Sequence, residues 1–210
     1  LGNPRKDTKQ LYADYFGLDY DLKTANKQQL LALNIDLASR FNSDAIWFSA
    51  EHDYRAWNAP QDKCMFDIRT ASHDDASDWR GILADCQGPD ELESFDWPNP
   101  SCWNFDITRQ SLEEIHKHGI AVFSGMWMPF FHILCDLFGM EQYFIKMHTK
   151  PDVVEAATEK VLDFYLSSNE MFLQKCADCV DVMFFGNDLG TQQDLLISPE
   201  AITKFVIPGY

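Results

Sequence analysis

Basic charge is scarce in this sequence. Lys and Arg number 17 against 33 Asp and Glu, a formal net charge of −16. Nucleic acid and anionic membrane surfaces are bound through basic patches, so neither is an expected partner. Long apolar runs are missing as well. The densest stretch, Ile120 to Phe138, is broken by Ser124, Gly125, Pro129, His132 and Asp136. It falls short of the roughly 20 residues that cross a bilayer. The opening Leu1-Gly2-Asn3-Pro4-Arg5-Lys6 holds no apolar core of a secretion signal, and it has no initiator Met, from which processing or trimming is expected. No Gly-rich phosphate loop, Gly-x-Ser-x-Gly or His-Glu-x-x-His occurs, so the chemistries those motifs carry have no foothold here. Internal repeats and low-complexity segments are also absent.

What is present suits one sizeable core: 46% of residues are hydrophobic and 14% aromatic. At 210 residues a single domain is the expectation. Six cysteines are spread along the chain, which fits reduced thiols in a cytoplasmic protein better than a disulfide framework. Cys176-Ala177-Asp178-Cys179 has zinc-like spacing, but no second Cys or His pair follows it.

Apolar spacing predicts a helix over 27–41, with Leu30, Leu33, Leu37, Ala38 and Phe41 on one face. Ala45 to Ser49 reads as a buried strand. Residues 50–110 read as irregular, with a short strand at Met65–Ile68. Ser111-Leu112-Glu113-Glu114 has the pattern of a helix-opening capping box, with Gly119 at the helix end. Ile120 to Phe123 is the second strand, and Pro129 opens a helix ending near Gly139. A longer helix starts at Thr149-Lys150-Pro151-Asp152, with Val153, Ala157, Val161, Phe164 and Tyr165 inward. Val180 to Phe185 is the third buried strand, and Ser198-Pro199-Glu200 starts a last helix. Buried strands alternating with helices predict a parallel α/β sheet. A (β/α)8 barrel needs about 250 residues and eight strands, so this chain would supply under half of one and the natural protein is expected to be longer.

In such folds sites gather at the C-terminal ends of strands. After the first strand come Glu51, His52, Asp53, Tyr54 and Arg55, able to bind an anion or move protons. A solvated loop with local ion pairs is the plainer reading. After the second strand, Trp127 and Met128 can form an apolar wall, and His132 lies within reach; core packing is the alternative. After the third, Gly186-Asn187-Asp188-Leu189-Gly190-Thr191-Gln192 offers Asp188 as a proton acceptor and Gln192 as donor and acceptor. A structural turn with Asx caps is the competing reading there. His116 and His118, near a helix C-terminus, suit a structural role, and Trp47, Trp57, Trp79, Trp97 and Trp103 read as packing.

The stretch Phe185-Gly186-Asn187-Asp188-Leu189-Gly190-Thr191-Gln192, followed by Leu195-Leu196-Ile197-Ser198-Pro199-Glu200, resembles the G-D-D-L-G-T-Q … L-x-S-P-E signature of proteins related to uroporphyrinogen decarboxylase. That superfamily includes methyltransferases acting on corrinoid-bound methyl groups. Weaker resemblance runs through 91–100, Leu137 to Glu141 and Thr149 to Asp152. The resemblance implies the N-terminal portion of a (β/α)8 barrel, one partial domain over 1–210 with an irregular insertion at 50–110. It also implies an acidic tetrapyrrole or a corrinoid substrate. Asp188 and Glu51 are the catalytic candidates, and Asp53, Arg55, Trp127, Asn187, Gln192 and His132 the substrate-binding ones. No residue here is assigned to metal.

Departures from the family pattern select among its reactions. Decarboxylases carry an Arg-rich N-terminal signature that is missing here. Ala50 falls where their catalytic Asp belongs, with Glu51 next to it, and Ile133 or Cys135 replaces a nearby Tyr. These differences favour methyl transfer from a corrinoid to a thiol, with a corrinoid protein as a possible partner and zinc ligands expected beyond Tyr210. Asn187, in place of the signature's first Asp, removes a charge. A cofactor-free uroporphyrinogen decarboxylase, with Glu51 or Asp188 holding the pyrrole nitrogens, is the alternative, and a non-catalytic remnant is the third. The 50–110 insertion is expected to act as a lid or as a subunit contact in a homodimer.

Overall fold

The computed structural model describes residues 6–50, 56–68 and 80–210. They fall into two compact units. The first takes the described residues up to Asn58, then Trp103–Trp127 and Asn169–Phe184; the second takes Ala59–Cys102, Met128–Ser168 and Phe185–Tyr210. No helix among the described residues is long and apolar enough to cross a membrane.

The first unit opens with a helical hairpin of α1 (Lys6–Phe16) and α2 (Lys27–Arg40). Asn26 starts α2 through a capping box. Its side chain accepts from the Gln29 N–H at 2.9 Å, and its own N–H donates to Gln29 Oε1 at 2.8 Å. Such a cap contributes about 1 kcal/mol. Ala13, Leu22, Leu33 and Leu37 form the apolar seam, and Tyr12 and Phe16 of α1 meet the Phe41 ring edge-on. Spacing alone did not predict α1, because its apolar residues gain a face only once α2 lies beside it.

Strands β1 (Ala45–Trp47), β2 (Ala121–Ser124) and β3 (Val182–Met183) make a parallel sheet in the order β1-β2-β3. The expected α/β class with a parallel sheet is therefore present; among the described residues the sheet has three strands and is open, not closed into a barrel. Register pairs Trp47 with Phe123, and Ser124 with Met183. β3 departs from the expectation of a buried strand over 180–185. It is two residues long, and Val182 and Met183 are 40% and 36% exposed. Its composition fits burial on both faces, but among the described residues no strand pairs with its outer edge. Asp181 pins its start: the carboxylate accepts from the Val122 N–H at 2.7 Å and lies 2.9 Å from His116 Nε2. Those two bonds hold the Asp181 carboxyl below the usual range, the Val122 N–H first.

Helix α3 (Phe105–Lys117) starts six residues before the expected capping box. Asn104 caps it instead, accepting from the Asp106 N–H at 3.2 Å. Ser111 lies buried mid-helix and Glu114 pairs with Lys117, because the apolar stripe Phe105, Leu112 and Ile115 continues through the false start. Gly119, at φ +70°, leaves the helix as expected. Arg109 of α3 grips Asp178 with two guanidinium bonds and also reaches the Lys175 carbonyl. That contact holds the Asp178 carboxyl down at about 2.

The second unit is mostly helical: α4 (Phe130–Phe138), α5 (Met140–Thr149), most of α6 (Pro151–Cys176) and α7 (Pro199–Phe205). Val153, Ala157, Val161, Phe164 and Tyr165 of α6 are all buried, as their spacing predicts. Ser198 caps α7 by accepting from the Ala201 N–H. α5 was not anticipated, because the single Gly139 both ends α4 and precedes α5. The strand expected at Met65–Ile68 is a 3-10 turn over Met65–Asp67, with Phe66 and Asp67 at φ +57° and +54°. Phe66 folds inward against Trp97, Phe164 and Tyr165, and this packing overrides the local β preference.

Candidate functional site

The C-terminal ends of the three strands of the first unit each present an aromatic ring. Trp47 is the last residue of β1, Trp127 follows β2 by three, and Phe184 directly follows β3. Trp47 meets Trp127 edge-to-face with centroids 5.8 Å apart, and Phe184 with centroids 5.6 Å apart. Both Trp residues are half-buried and Phe184 is 41% exposed, so the cluster offers ring surface instead of being consumed by a core. Parallel register causes this convergence. Main-chain bonds extend the ladder past β1 and β3: Phe48 N–H donates to the Phe123 carbonyl and Phe184 N–H to the Ser124 carbonyl, both at 2.9 Å. Three rings are thereby delivered to one end of one sheet.

Trp127 was expected to form an apolar wall and stands in this cluster. From the sequence Trp47 reads as packing and Phe184 as part of the third strand. Glu51, Asp53 and Arg55 lie outside the described residues. Ala50, in front of them, is fully buried.

The other candidates belong to the second unit. Asn187 lies over the start of α4. Its Oδ1 accepts from the Phe131 N–H at 2.9 Å, and its Nδ2 donates to the Tyr210 hydroxyl at 2.9 Å and, longer, to the Met128 carbonyl. One of the unpaired N–H groups that begin any helix is satisfied in this way. A short amide with both a donor and an acceptor can span these partners, which accounts for Asn at this position. Asn187→Ala is expected to lower stability by about 1 kcal/mol through loss of the cap. A denaturant titration checks this, and an unchanged midpoint would show that the bond to the Phe131 N–H adds no stability.

Asp188 is exposed, and its Oδ1 accepts from the Gly190 N–H at 3.1 Å in an Asx turn. Thr191 organises the rest of the loop, its Oγ1 accepting from the N–H groups of Gln193 and Asp194. Gln192 projects from this loop, exposed. His132 is half-buried in the first turn of α4; its ring meets Phe131 and its Nδ1 is sealed from solvent, with no hydrogen-bond partner among the described residues. The structure thus brings Asn187 to the helix that carries His132, while Asp188 and Gln192 sit on an exposed loop.

Among the described residues no three His, Cys, Asp or Glu side chains are grouped to hold a metal ion. Cys176 and Cys179 are buried, and burial pushes the Cys176 thiol up to about 12, far from the thiolate form. Comparison of the chain with protein-family models, with curated proteins and with solved structures finds no match.

Proposed function

We propose that this chain contributes to a (β/α)8-barrel enzyme of the uroporphyrinogen decarboxylase-like kind, transferring a methyl group from a corrinoid to a thiol. The observation that carries the reading is the aromatic trio Trp47, Trp127 and Phe184, one ring from the end of each strand. Such a surface suits the broad ring face of a macrocycle, whose polar side chains lie around its rim. Offset and edge contacts to aromatic rings add about 0.5–1.5 kcal/mol each beyond area burial. An apolar wall also excludes water, which strengthens electrostatic effects on a reacting group. The sequential strand order β1-β2-β3 and the exposed apolar edge of β3 support the barrel reading.

In the reaction the thiolate supplies an electron pair to the methyl carbon, the cobalt–carbon bond breaks, and its pair stays on cobalt. Products are a thioether and a Co(I) corrinoid. Zinc would acidify the accepting thiol in such enzymes. The 210 residues contain no His-x-Cys pair, so none is assigned to zinc and no step is routed through it. Asp188 and Glu51 are the carboxylates the reading assigns to proton handling. A reducing, cytoplasmic setting agrees with the free cysteines.

Titration with methylcobalamin, followed by calorimetry, tests the reading. Binding should be saturable, and Trp127→Ala should weaken it about tenfold, the loss of one aromatic contact plus its buried area. Methylation of dithiothreitol by methylcobalamin should depend on the protein. Equal affinity of wild type and Trp127→Ala would sink the assignment of the cluster. Turnover of uroporphyrinogen without methyl transfer would move the assignment to decarboxylation, a reaction the buried Ala50 disfavours because its position resembles that of the decarboxylase Asp.

A further inference from the structure

We infer that Asn169 is a positioning residue that holds Trp127 against Trp47; its relevance to ligand binding rests on the reading of that cluster given above. Beyond Ser124 the chain turns sharply at Gly125, φ +117°, a conformation open to glycine and costly for other residues. Met126 follows, fully buried, and its N–H donates to Asn169 Oδ1 of α6 at 3.0 Å. A Cβ on Gly125 would come within 2.8 Å of the Met183 methyl and 3.6 Å of Asn169 Oδ1. Met183 and Asn169 therefore close over the turn and leave it one path. On the other side, Ser124 Oγ donates to the Phe48 carbonyl at 2.5 Å, fixing the residue that follows Trp47.

These two bonds hold the main chain beside each indole of the pair. The Met126 peptide sets the direction in which the next residue leaves the chain. Asn169 orients that peptide from a 26-residue helix, a support stiffer than any loop. No contact between Asn169 and either indole is needed, because its effect passes through the main chain. Removing the acceptor strands the N–H of a buried residue, a cost that the turn can relieve by rotating and taking Trp127 with it.

Two indoles 5.8 Å apart at 77° couple their electronic transitions, so the pair has an exciton-coupled circular dichroism band that reports their mutual angle. The part of that band lost in Trp127→Phe belongs to the pair. Asn169→Leu, which removes the acceptor at similar size, should lose the same component. Asn169→Asp keeps the acceptor oxygen and should retain it. Methylcobalamin affinity should fall about tenfold in the leucine variant alone. If leucine at 169 prevents folding, Asn169→Ser, too short to reach Met126, takes its place. Retention of the pair component in the leucine or serine variant overturns the inference, and so does its equal loss in Asn169→Asp. If the band behaves as expected while the wild-type protein fails to bind methylcobalamin, the positioning role stands and the proposed function falls.

Discussion

Gly81→Ala should be among the most damaging single-methyl additions available in this protein, lowering stability by about 3 kcal/mol. A Cβ built on Gly81 would overlap main-chain atoms of Leu137, Phe138 and Gly139, at the junction of α4 and α5. Side chains can rotate away from an intruding methyl; these atoms cannot, because they belong to a helix end and to the glycine linking two helices. The neighbouring Leu83 N–H donates to the Leu137 carbonyl at 2.7 Å, which holds the segments at this separation. An opposing effect exists. Alanine restricts the unfolded chain and so favours folding by about 0.4–1 kcal/mol. The overlap outweighs it several-fold at Gly81, but not at Gly88. There the backbone is extended, at φ −146°, and an added Cβ meets nothing within 4 Å. Gly88→Ala should therefore be neutral or stabilising by up to about 1 kcal/mol. Paired denaturant melts of the two variants check the contrast. Equal destabilisation by both would show that the close approach at Gly81 does not exist in solution.

The two glycines look alike in the sequence, and the difference between them shows what local reading can reach. The inward face of α6 was readable because Val153, Ala157, Val161 and Phe164 repeat with the helix period and all are buried. The Ser198 cap was readable because Ser-Pro-Glu carries its own chemistry. β1 and β2 were readable as short apolar runs. Features set by distant partners were not. The exposure of β3 depends on what lies along its edge, and no local pattern states that. Phe66 looks like part of a strand until Phe164 and Tyr165, about a hundred positions later, provide its packing.

The same division runs through the candidate site. Trp127 was picked out by position, at the end of a strand. Trp47 was not, because register with β2, not spacing, brings it to Trp127. Asn169 carries no local signal, since it sits in a helix 43 residues from the N–H it accepts. The polar signature after β3 was easy to see. Its hydrogen bonds show that Asn187 caps α4 and that one oxygen of Asp188 closes a turn. A loop dense in polar residues meets its own backbone needs first, and only the groups left over are free for a ligand.

Phe66 carries the second large effect. Its ring is fully buried in the second unit, with centroids 5.0 Å from Phe164, 6.0 Å from Tyr165 and 6.4 Å from Trp97. Truncating such a ring to alanine costs about 3–5 kcal/mol, from lost transfer energy and the cavity left behind. The backbone adds a signature that a general packing loss lacks. Phe66 sits at φ +57°, where a residue with a Cβ pays roughly 1–2 kcal/mol and glycine does not. In most positions glycine is worse than alanine by about 0.5–1 kcal/mol, through the freedom it gives the unfolded chain. Here relief of the left-handed strain offsets that difference. Phe66→Gly should accordingly be no less stable than Phe66→Ala, although it removes one more carbon. Urea titrations of both variants measure the order. A glycine variant clearly less stable than the alanine one would mean that the ring is not held at positive φ. The core around Phe164 and Tyr165 would then close over this segment by a different path.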